Sequence, residues 1–243
     1  MEVTKGIHRL TGGVANFYLI EQDSSLLLVD AGTPHDWRLF ASTVTEIGHD
    51  LPDLEAVLVT HAHADHTGFA ERARSVSHAR VMIHRDDEAG VTTGETGGAD
   101  GGMTPYLLKL QMYRTMWSLG RRGASRIAPV REVSTFRDGD VIDVPGKPHV
   151  IHAPGHTLGS CALYFESHET LLSGDVLATW NPFTGRSGPQ IMPSAMNVDT
   201  PLAMQSIDAL SRVPANLLLP GHGAPWRGDM GEAIDLARRA GRS

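Results

Sequence analysis

The chain has 243 residues, of which 41% are hydrophobic and 20% are charged, and its formal net charge is −7. This length and composition are typical of one globular α/β domain and exclude a disordered chain. The acidic balance argues against a nucleic-acid partner, because proteins that bind phosphate backbones carry a basic surface. We therefore expect a single domain over residues 1–243 whose partner is a small-molecule substrate.

The single cysteine, Cys161, limits the chemistry that the chain can use. No disulfide can form within the chain, so a metal site would be built from histidine and carboxylate ligands. No apolar stretch is long enough to cross a bilayer, and residues 1–13 lack the pattern of a signal peptide. We expect a cytoplasmic protein without a membrane partner, and the sequence leaves the oligomeric state open.

The first third of the chain alternates between strand and helix patterns. The predicted order is a hairpin of strands at 14–20 and 24–32, a helix over 36–47, a strand at 54–59, a helix over 65–76 and a strand at 79–84. Alternation of this kind predicts an α/β fold in which helices cover a sheet.

A glycine-rich segment and a helix follow, and we treat residues 92–122 as a helical insertion. The glycines at 92–103 predict a loop without a fixed shape. Thr104 and Pro105 then provide an N-cap and a first-turn residue for a helix that runs to about Leu119. Its apolar residues recur at helical spacing, which fits docking on the core and also fits a lid over a substrate cavity.

Short strand patterns separated by turns dominate the second half of the chain. They cover 136–144, 149–155, 159–166 and 170–177, and they are followed by a helix over about 200–212, a strand at 216–223 and a final helix near 230–240. No repeat or linker divides this half from the first.

The sequence THAHADH at 60–66 concentrates three histidines and an aspartate directly after an apolar strand. Alternate residues of a strand point to the same side, so His61 and His63 project together, and a tight turn directs Asp65 and His66 to a neighbouring position. Imidazole and carboxylate ligands suit Zn²⁺, and they also suit iron or manganese. The motif therefore predicts a transition-metal site and leaves the metal open.

Three later segments each place one potential ligand beside a glycine at the end of an apolar strand. The ligands are His156 in HAPGHTLGS, Asp175 in LLSGDVL and His222 in LLLPGHG. Glycine has no side chain, so the backbone next to such a ligand can approach a crowded centre closely. Together with the motif at 60–66, these residues predict two adjacent metal centres.

The combined motifs resemble those of the metallo-β-lactamase superfamily, over nearly the whole chain from LLLVDAG at 26–32 to LPGHG at 219–223. The resemblance implies a four-layered αββα sandwich with a metal pair at one edge, between the two sheets. It implies that His61, His63 and His156 hold the first metal, that Asp65, His66 and His222 hold the second, and that Asp175 bridges both. Asp30 matches the first motif of the family, in which the aspartate lies close to the metals without usually binding one.

A pair of metal ions predicts a hydrolase. Two adjacent cations hold a shared water as hydroxide at neutral pH, because metal binding lowers the pKa of water from about 16 to about 7. We expect that hydroxide to be the nucleophile and one metal to polarise the attacked oxygen. Asp65 is the expected catalytic residue, since its carboxylate can orient the hydroxide or pass a proton to the leaving group. Two divalent ions are expected as cofactors, with zinc first and iron or manganese as alternatives.

Differences from known branches of the family narrow the range of expected substrates. Enzymes resembling glyoxalase II carry a helical region after the last ligand, whereas twenty-one residues follow His222 here. Lactonases for acyl-homoserine lactones place a tyrosine three positions after the bridging aspartate, where this chain has Ala178. We expect a small ester, lactone or thioester as substrate. The alternatives are a mononuclear iron sulfur dioxygenase and, with less support, a β-lactamase or a non-catalytic metal-binding module.

The remaining conspicuous residues have simpler interpretations. His152 is interpreted as a structural histidine, with a hydrogen bond to a metal ligand as the alternative. Cys161 is interpreted as a small buried hydrophobic residue. Candidates for contact with substrate, each also explained by packing, are Tyr106, Tyr113, Trp117, Trp180, Asn181 and Phe183.

Overall fold

The computed structural model describes residues 1–94 and 97–241. Its strands are β1 (Glu2–Thr4), β2 (Ile7–Thr11), β3 (Asn16–Gln22), β4 (Ser25–Val29), β5 (Leu54–Val59), β6 (Arg80–His84), β7 (Val133–Phe136), β8 (His149–His152), β9 (Cys161–Phe165), β10 (Thr170–Gly174), β11 (Ala178–Trp180), β12 (Ser187–Gln190), β13 (Leu217–Pro220) and β14 (Trp226–Arg227). Its α-helices are α1 (Trp37–Glu46), α2 (Ala64–Thr67), α3 (Ala70–Ser77), α4 (Glu88–Thr93), α5 (Leu110–Arg121), α6 (Thr200–Ser206) and α7 (Met230–Ala240).

Two large sheets face each other. The first contains β1 to β7 in chain order, antiparallel from β1 to β4 and parallel from β4 to β7. The second has the order β14-β13-β10-β9-β8, in which only β10 and β13 run parallel. Leu58 of the first sheet and Leu163 and Leu172 of the second belong to one buried cluster between them. Removal of this apolar surface from water holds the sheets face to face.

Helices cover the outer face of each sheet. Phe40 of α1 and Phe69, just before α3, stack with ring centroids 5.3 Å apart in the cluster that covers the first sheet. Ile234 and Ala237 of α7 pack on the second sheet against Leu218. The layers are therefore helix, sheet, sheet and helix, which confirms the predicted four-layered αββα sandwich.

The sheets are joined at the edge where β5, β10 and β13 end. Tyr18 donates its hydroxyl proton to the carbonyl of Pro220, and the backbone N–H of Asn16 donates to the carbonyl of Gly221. Cys161 donates its backbone N–H to the carbonyl of Thr60. Hydrogen bonds that cross between the sheets fix the loops of this edge relative to each other.

The predicted helix over 65–76 is two helices, α2 and α3. At the break, the N–H of Gly68 donates to the carbonyl of Gly32, and the N–H of Phe69 donates to that of Ala31. These bonds to the loop after β4 replace the bonds that a continuous helix would make. Helical periodicity does not reveal a break that depends on a distant loop.

The insertion also differs from its prediction. Thr104 and Pro105 begin a 3₁₀ turn, Thr104–Tyr106, and α5 begins five residues later than expected because Lys109 has an extended backbone. Buried Tyr106 packs on Phe183, with ring centroids 5.2 Å apart, and holds the turn in place. Within the predicted loop at 92–103, α4 extends to Thr93, and residues 95 and 96 lie outside the described residues.

Other helices and strands are shorter than the sequence patterns predicted. The helix predicted over 200–212 is α6 followed by a 3₁₀ helix, Ile207–Leu210. The strand predicted over 136–144 contributes only Phe136 to β7, beyond which Val141 forms an isolated bridge with His149. Strands β1, β2, β11, β12 and β14 were not predicted, since each is short or lies in a polar segment.

Gly68 provides a test of the close contact between α2 and the loop after β4. A Cβ atom at Gly68 would lie 2.4 Å from the carbonyl oxygen of Gly32 and from the Cα of Thr33. We expect Gly68→Ala to lower the free energy of unfolding by about 1–3 kcal/mol, because backbone atoms must move. The measurement is urea denaturation.

Gly120→Ala is the matched control. A Cβ atom at Gly120 meets nothing within 4 Å, and alanine in a helix is favoured over glycine by about 0.5–1 kcal/mol. This variant should be as stable as the parent chain or slightly more stable. Equal stabilities for the two variants would contradict the steric explanation.

Candidate metal centre

The seven predicted ligands lie at the edge where the two sheets are joined. His61 and His63 follow β5, and Asp65 and His66 belong to α2, the short helix that begins next. The other three come from the second sheet: His156 from the loop after β8, Asp175 from the residue after β10, and His222 from the loop after β13. Six of the seven side chains are buried, and His63 is half-buried.

Three histidines form the first group of potential ligands. His156 Nε2 lies 3.2 Å from His61 Nε2 and 2.8 Å from His63 Nδ1. Three imidazole nitrogens that point at one spot can serve one transition-metal ion. The second group is Asp65, His66 and His222, in which His222 Nε2 lies 3.5 Å from Asp65 Oδ2.

Asp175 lies between the two groups. Its Oδ2 is 3.3 Å from His156 Nε2 and 3.1 Å from His222 Nε2, and its Oδ1 is 3.5 Å from His66 Nε2. His61 Nε2, also of the first group, lies 3.8 Å from Oδ2, so the carboxylate faces two histidines of the first group and two of the second. Gly221 makes this approach possible, because a Cβ atom there would lie 2.2 Å from Asp175 Oδ1.

Five side-chain atoms of this centre are buried without a hydrogen bond within the described part of the chain. They are Asp65 Oδ2, His66 Nε2, both carboxylate oxygens of Asp175, and His222 Nε2. Burial of polar atoms without a partner is costly, and folded proteins rarely tolerate a concentration of them. Bound cations would satisfy all five atoms, so the residues present fit metal ions.

Hydrogen bonds on the side of the ring away from the centre orient three of the histidines. His66 Nδ1 donates to Asp30 Oδ2 over 2.8 Å, and His222 Nδ1 donates to the carbonyl of Val14 over 2.9 Å. His156 Nδ1 donates to Asn197 Oδ1 over 3.0 Å. Each bond assigns the proton to Nδ1 and leaves Nε2 directed at the centre, as in other proteins whose histidines bind metal.

Asp87 connects the two loops that carry the first group. Its buried carboxylate accepts hydrogen bonds from the backbone N–H of Ala62 at 2.9 Å, from the Thr157 hydroxyl at 2.6 Å and from the backbone N–H of Gly159 at 2.8 Å. Ala62 lies between His61 and His63, and Thr157 follows His156. Sequence reasoning missed Asp87 and Asn197, because neither lies in a glycine-flanked motif.

The metal-free electrostatics of the centre are strongly asymmetric. Burial, together with the neighbouring His156, lowers the pKa of His63 to about 3. Burial also opposes the charged form of His66, but Asp175, Asp30 and Asp65 outweigh it and raise the pKa of His66 to about 10. Burial would raise the pKa of Asp175, yet His222 and His66 hold it well below its ordinary value. Negative charge is therefore concentrated where cations would bind.

His84, Asp86 and His152 form another group of potential ligands in the structure. The rings of His84 and His152 stack nearly parallel with centroids 4.0 Å apart, and His152 Nε2 donates to the carbonyl of Leu158. This arrangement agrees with a structural role for His152. Cys161 is fully buried, and burial raises the pKa of its thiol well above the ordinary value.

A cavity of about 340 Å³ opens beside His63. Its wall includes Val91 of α4 together with Ile127 and Val130 from the segment after α5. None of the six residues predicted as substrate contacts lines this cavity. Tyr106 and Phe183 pack on each other, Tyr113 and Trp117 are exposed, and Trp180 lines a separate groove near Val14.

Comparisons with known proteins identify the family of this chain. The family model described as the metallo-beta-lactamase superfamily matches residues 10–222. The chain belongs to the metallo-beta-lactamase superfamily. The match spans all seven residues of the candidate centre and the strands from β3 to β13.

Individual relatives of this superfamily cover most of the chain. A probable metallo-hydrolase of Bacillus subtilis is 27% identical, over 98% of this chain and 92% of its own length. An acyl-coenzyme A thioesterase of Gallus gallus is 26% identical, over 73% of this chain and 64% of its own length. A metallo-beta-lactamase family protein of Thermus thermophilus has the same fold, with a TM-score of 0.71 and 22% identity over 98% of this chain and 80% of that one.

Asp87→Ala tests the connection between the two ligand loops. The change leaves the donors of Ala62, Thr157 and Gly159 without their acceptor, so we expect the free energy of unfolding to fall by roughly 2–4 kcal/mol. Zinc affinity should also fall about 10- to 100-fold, because two ligand loops lose their support. Denaturation and zinc titration measure the two effects.

The neighbouring Asp86→Ala is the control, since the Asp86 side chain is 39% exposed. It should change stability by less than about 0.5 kcal/mol. An Asp87→Ala protein with parental zinc affinity would show that the loops keep their positions without this carboxylate.

Metal binding should release protons. In the metal-free protein the His66 pKa of about 10 leaves a second proton, on Nε2, at neutral pH, and a nitrogen that binds metal must give that proton up. Zinc affinity should therefore rise with pH until it levels off near the pKa of His66. Calorimetric titration in two buffers of different ionisation enthalpy should show at least about one proton released per chain; heats that do not depend on the buffer would contradict this.

Proposed function

We propose that this chain is a dinuclear metal-dependent hydrolase, with two zinc ions, that cleaves a small ester, lactone or thioester. The observation that carries the proposal is the Asp175 carboxylate, which lies between two three-residue ligand groups and has no hydrogen bond on either oxygen within the described residues. His61, His63 and His156 would hold one ion, Asp65, His66 and His222 the other, and Asp175 both. Bound together, the ions would supply Lewis acidity and an acidified water molecule.

The protein's own residues prepare the centre for this chemistry. Hydrogen bonds from Nδ1 fix the rings of His66, His156 and His222, so these ligands need little reordering. Burial of the site excludes bulk water and strengthens electrostatic interactions. Asp65 Oδ2 lies at the centre without a hydrogen bond and is suited to bind an ion, and the other oxygen of the carboxylate could then orient a water molecule or hold a proton for the leaving group.

Two observations favour a thioester among the three candidate substrates. The cavity beside His63 has an apolar wall formed by Val91, Ile127 and Val130, which suits an acyl group. The relative from Gallus gallus is named as an acyl-coenzyme A thioesterase, and its match covers 73% of this chain. We therefore expect acyl thioesters to be cleaved more efficiently than lactones.

Metal analysis combined with a panel of esters, lactones and thioesters tests the proposal. About two zinc ions per chain and hydrolysis that is lost on chelation and regained with zinc would support it. A single iron with oxygen consumption would instead identify a mononuclear iron dioxygenase. Bound metal without turnover of any substrate would indicate a binding module.

Asp65→Asn tests the catalytic role of this carboxylate. The amide cannot hold the proton, so kcat should fall about 10²- to 10⁴-fold. Asp23→Asn is the matched control, because Asp23 is an exposed turn residue with φ of 55°, a conformation that asparagine accepts. Full activity of Asp65→Asn at normal metal content would refute the assigned role.

A further inference from the structure

The outer side of the insertion exposes an unusual amount of apolar surface. We define the insertion face as Leu107, Leu108, Leu110, Tyr113, Met116 and Trp117. Leu108 is 98% exposed, Trp117 65% and Leu110 63%. Contiguous exposed apolar residues of this size mark surfaces that meet another molecule or a membrane.

The opposite side of α5 already has its partners. Met112 packs with Tyr106 and Phe183, and the Thr115 hydroxyl donates to the carbonyl of Pro182. The helix is therefore already packed on the domain through its inner side. The insertion face cannot become part of the core unless α5 gives up these contacts. It is displayed to the outside in the folded chain.

The charge around the insertion face is opposite to that of the chain. Residues 101–131 contain six basic and no acidic residues, whereas the chain has 28 acidic and 21 basic residues in total. Arg122 pairs with Asp36, and Arg131 lies near Glu71. Among the described residues, no carboxylate lies within 4.0 Å of the cationic groups of Lys109, Arg114 or Arg126, which leaves their charge available.

We propose that the insertion face is a docking surface for a membrane that contains anionic phospholipid. Leucine, tryptophan and tyrosine beside lysine and arginine are the combination that binds the headgroup region of such a membrane. Apolar side chains enter the interface while the basic residues contact lipid phosphates. No helix in the described residues is long and apolar enough to cross a bilayer, and surface docking requires none.

A second copy of the chain suits this face less well. A two-fold contact would place Lys109 and Arg114 of one copy close to the same residues of the other, so like charges would meet at an apolar interface. An anionic lipid surface supplies the opposite charge. Charge complementarity therefore selects the membrane.

Docking would bring the cavity close to apolar substrates. The segment that follows α5 supplies Ala124, Ser125 and Ile127 to the wall of the cavity beside His63. A membrane held by the insertion face would thus bind the helix whose following segment lines this cavity. This consequence for substrate supply rests on the proposed function, whereas the docking itself does not.

Vesicle co-sedimentation of the full chain tests the docking. Vesicles of phosphatidylcholine mixed with an equal amount of phosphatidylglycerol should bind at least about tenfold more tightly than phosphatidylcholine alone, and high salt should weaken the binding. Trp117 fluorescence should shift to shorter wavelength on the mixed vesicles, and Trp117→Phe should remove most of the shift. Absence of binding to the mixed vesicles would overturn the proposal, whatever the hydrolytic assays show.

Matched variants separate the apolar and charged contributions. Leu108→Asp with Trp117→Asp, and separately Lys109→Glu with Arg114→Glu, should each reduce vesicle binding at least about tenfold. Val76→Asp on α3 and Arg212→Glu change exposed residues elsewhere and should bind as the parent does. All four proteins should keep parental thermal stability and cleavage of a water-soluble ester. Vesicle binding that survives in both double variants would overturn the proposal. The proposal would also be overturned if the parent chain did not bind vesicles but formed a dimer that the first double variant could not form.

Discussion

A carboxylate buried among imidazoles is the constraint on which the rest of the structure depends. Nitrogens of His61, His66, His156 and His222 all lie within 3.8 Å of an oxygen of Asp175. These histidines come from both sheets, so the sheets must end at a common edge for the group to form. Burial of Asp175 without hydrogen bonds would oppose folding unless cations compensated its charge. Fold and metal binding are therefore parts of one equilibrium.

Hydrogen bonds between the two sheets hold these buried polar groups together at the edge, although their burial is unfavourable. Tyr18 and Asn16 of the first sheet bond the backbone just before His222, and Thr60 accepts the N–H of Cys161 at the start of β9. Such bonds restrict the relative sliding of the two sheets. The ligands can then be placed by rigid strand ends rather than by long mobile loops, which favours a preorganised centre.

The sequence allowed the layer order to be predicted and seven candidate ligands to be named, but it did not indicate the residues that support them. Spacing in THAHADH and glycines beside His156, Asp175 and His222 are local signals, and strand ends bring them together.

Asn197 and Asp87 act across 41 and about 70 residues, a separation over which no local pattern operates. The break at Gly68 likewise depends on the distant loop after β4. Periodicity identified the apolar residues of α5 and left open whether they dock on the core or form a lid. It did not indicate that Leu110, Tyr113, Met116 and Trp117 are exposed, because it reports the spacing of a helix and not the side that meets the core.

Asp87 is also the residue directly before α4, and α4 carries Val91 into the cavity wall. The same carboxylate thus belongs to the loops around His63 and His156 and to the surface that would meet an acyl group. Remodelling Val91 to admit a bulkier guest would strain α4 and, through Asp87, the loops that carry His63 and His156. Redesign for a broader substrate range should therefore start at Ile127, which lines the same cavity from the segment after α5.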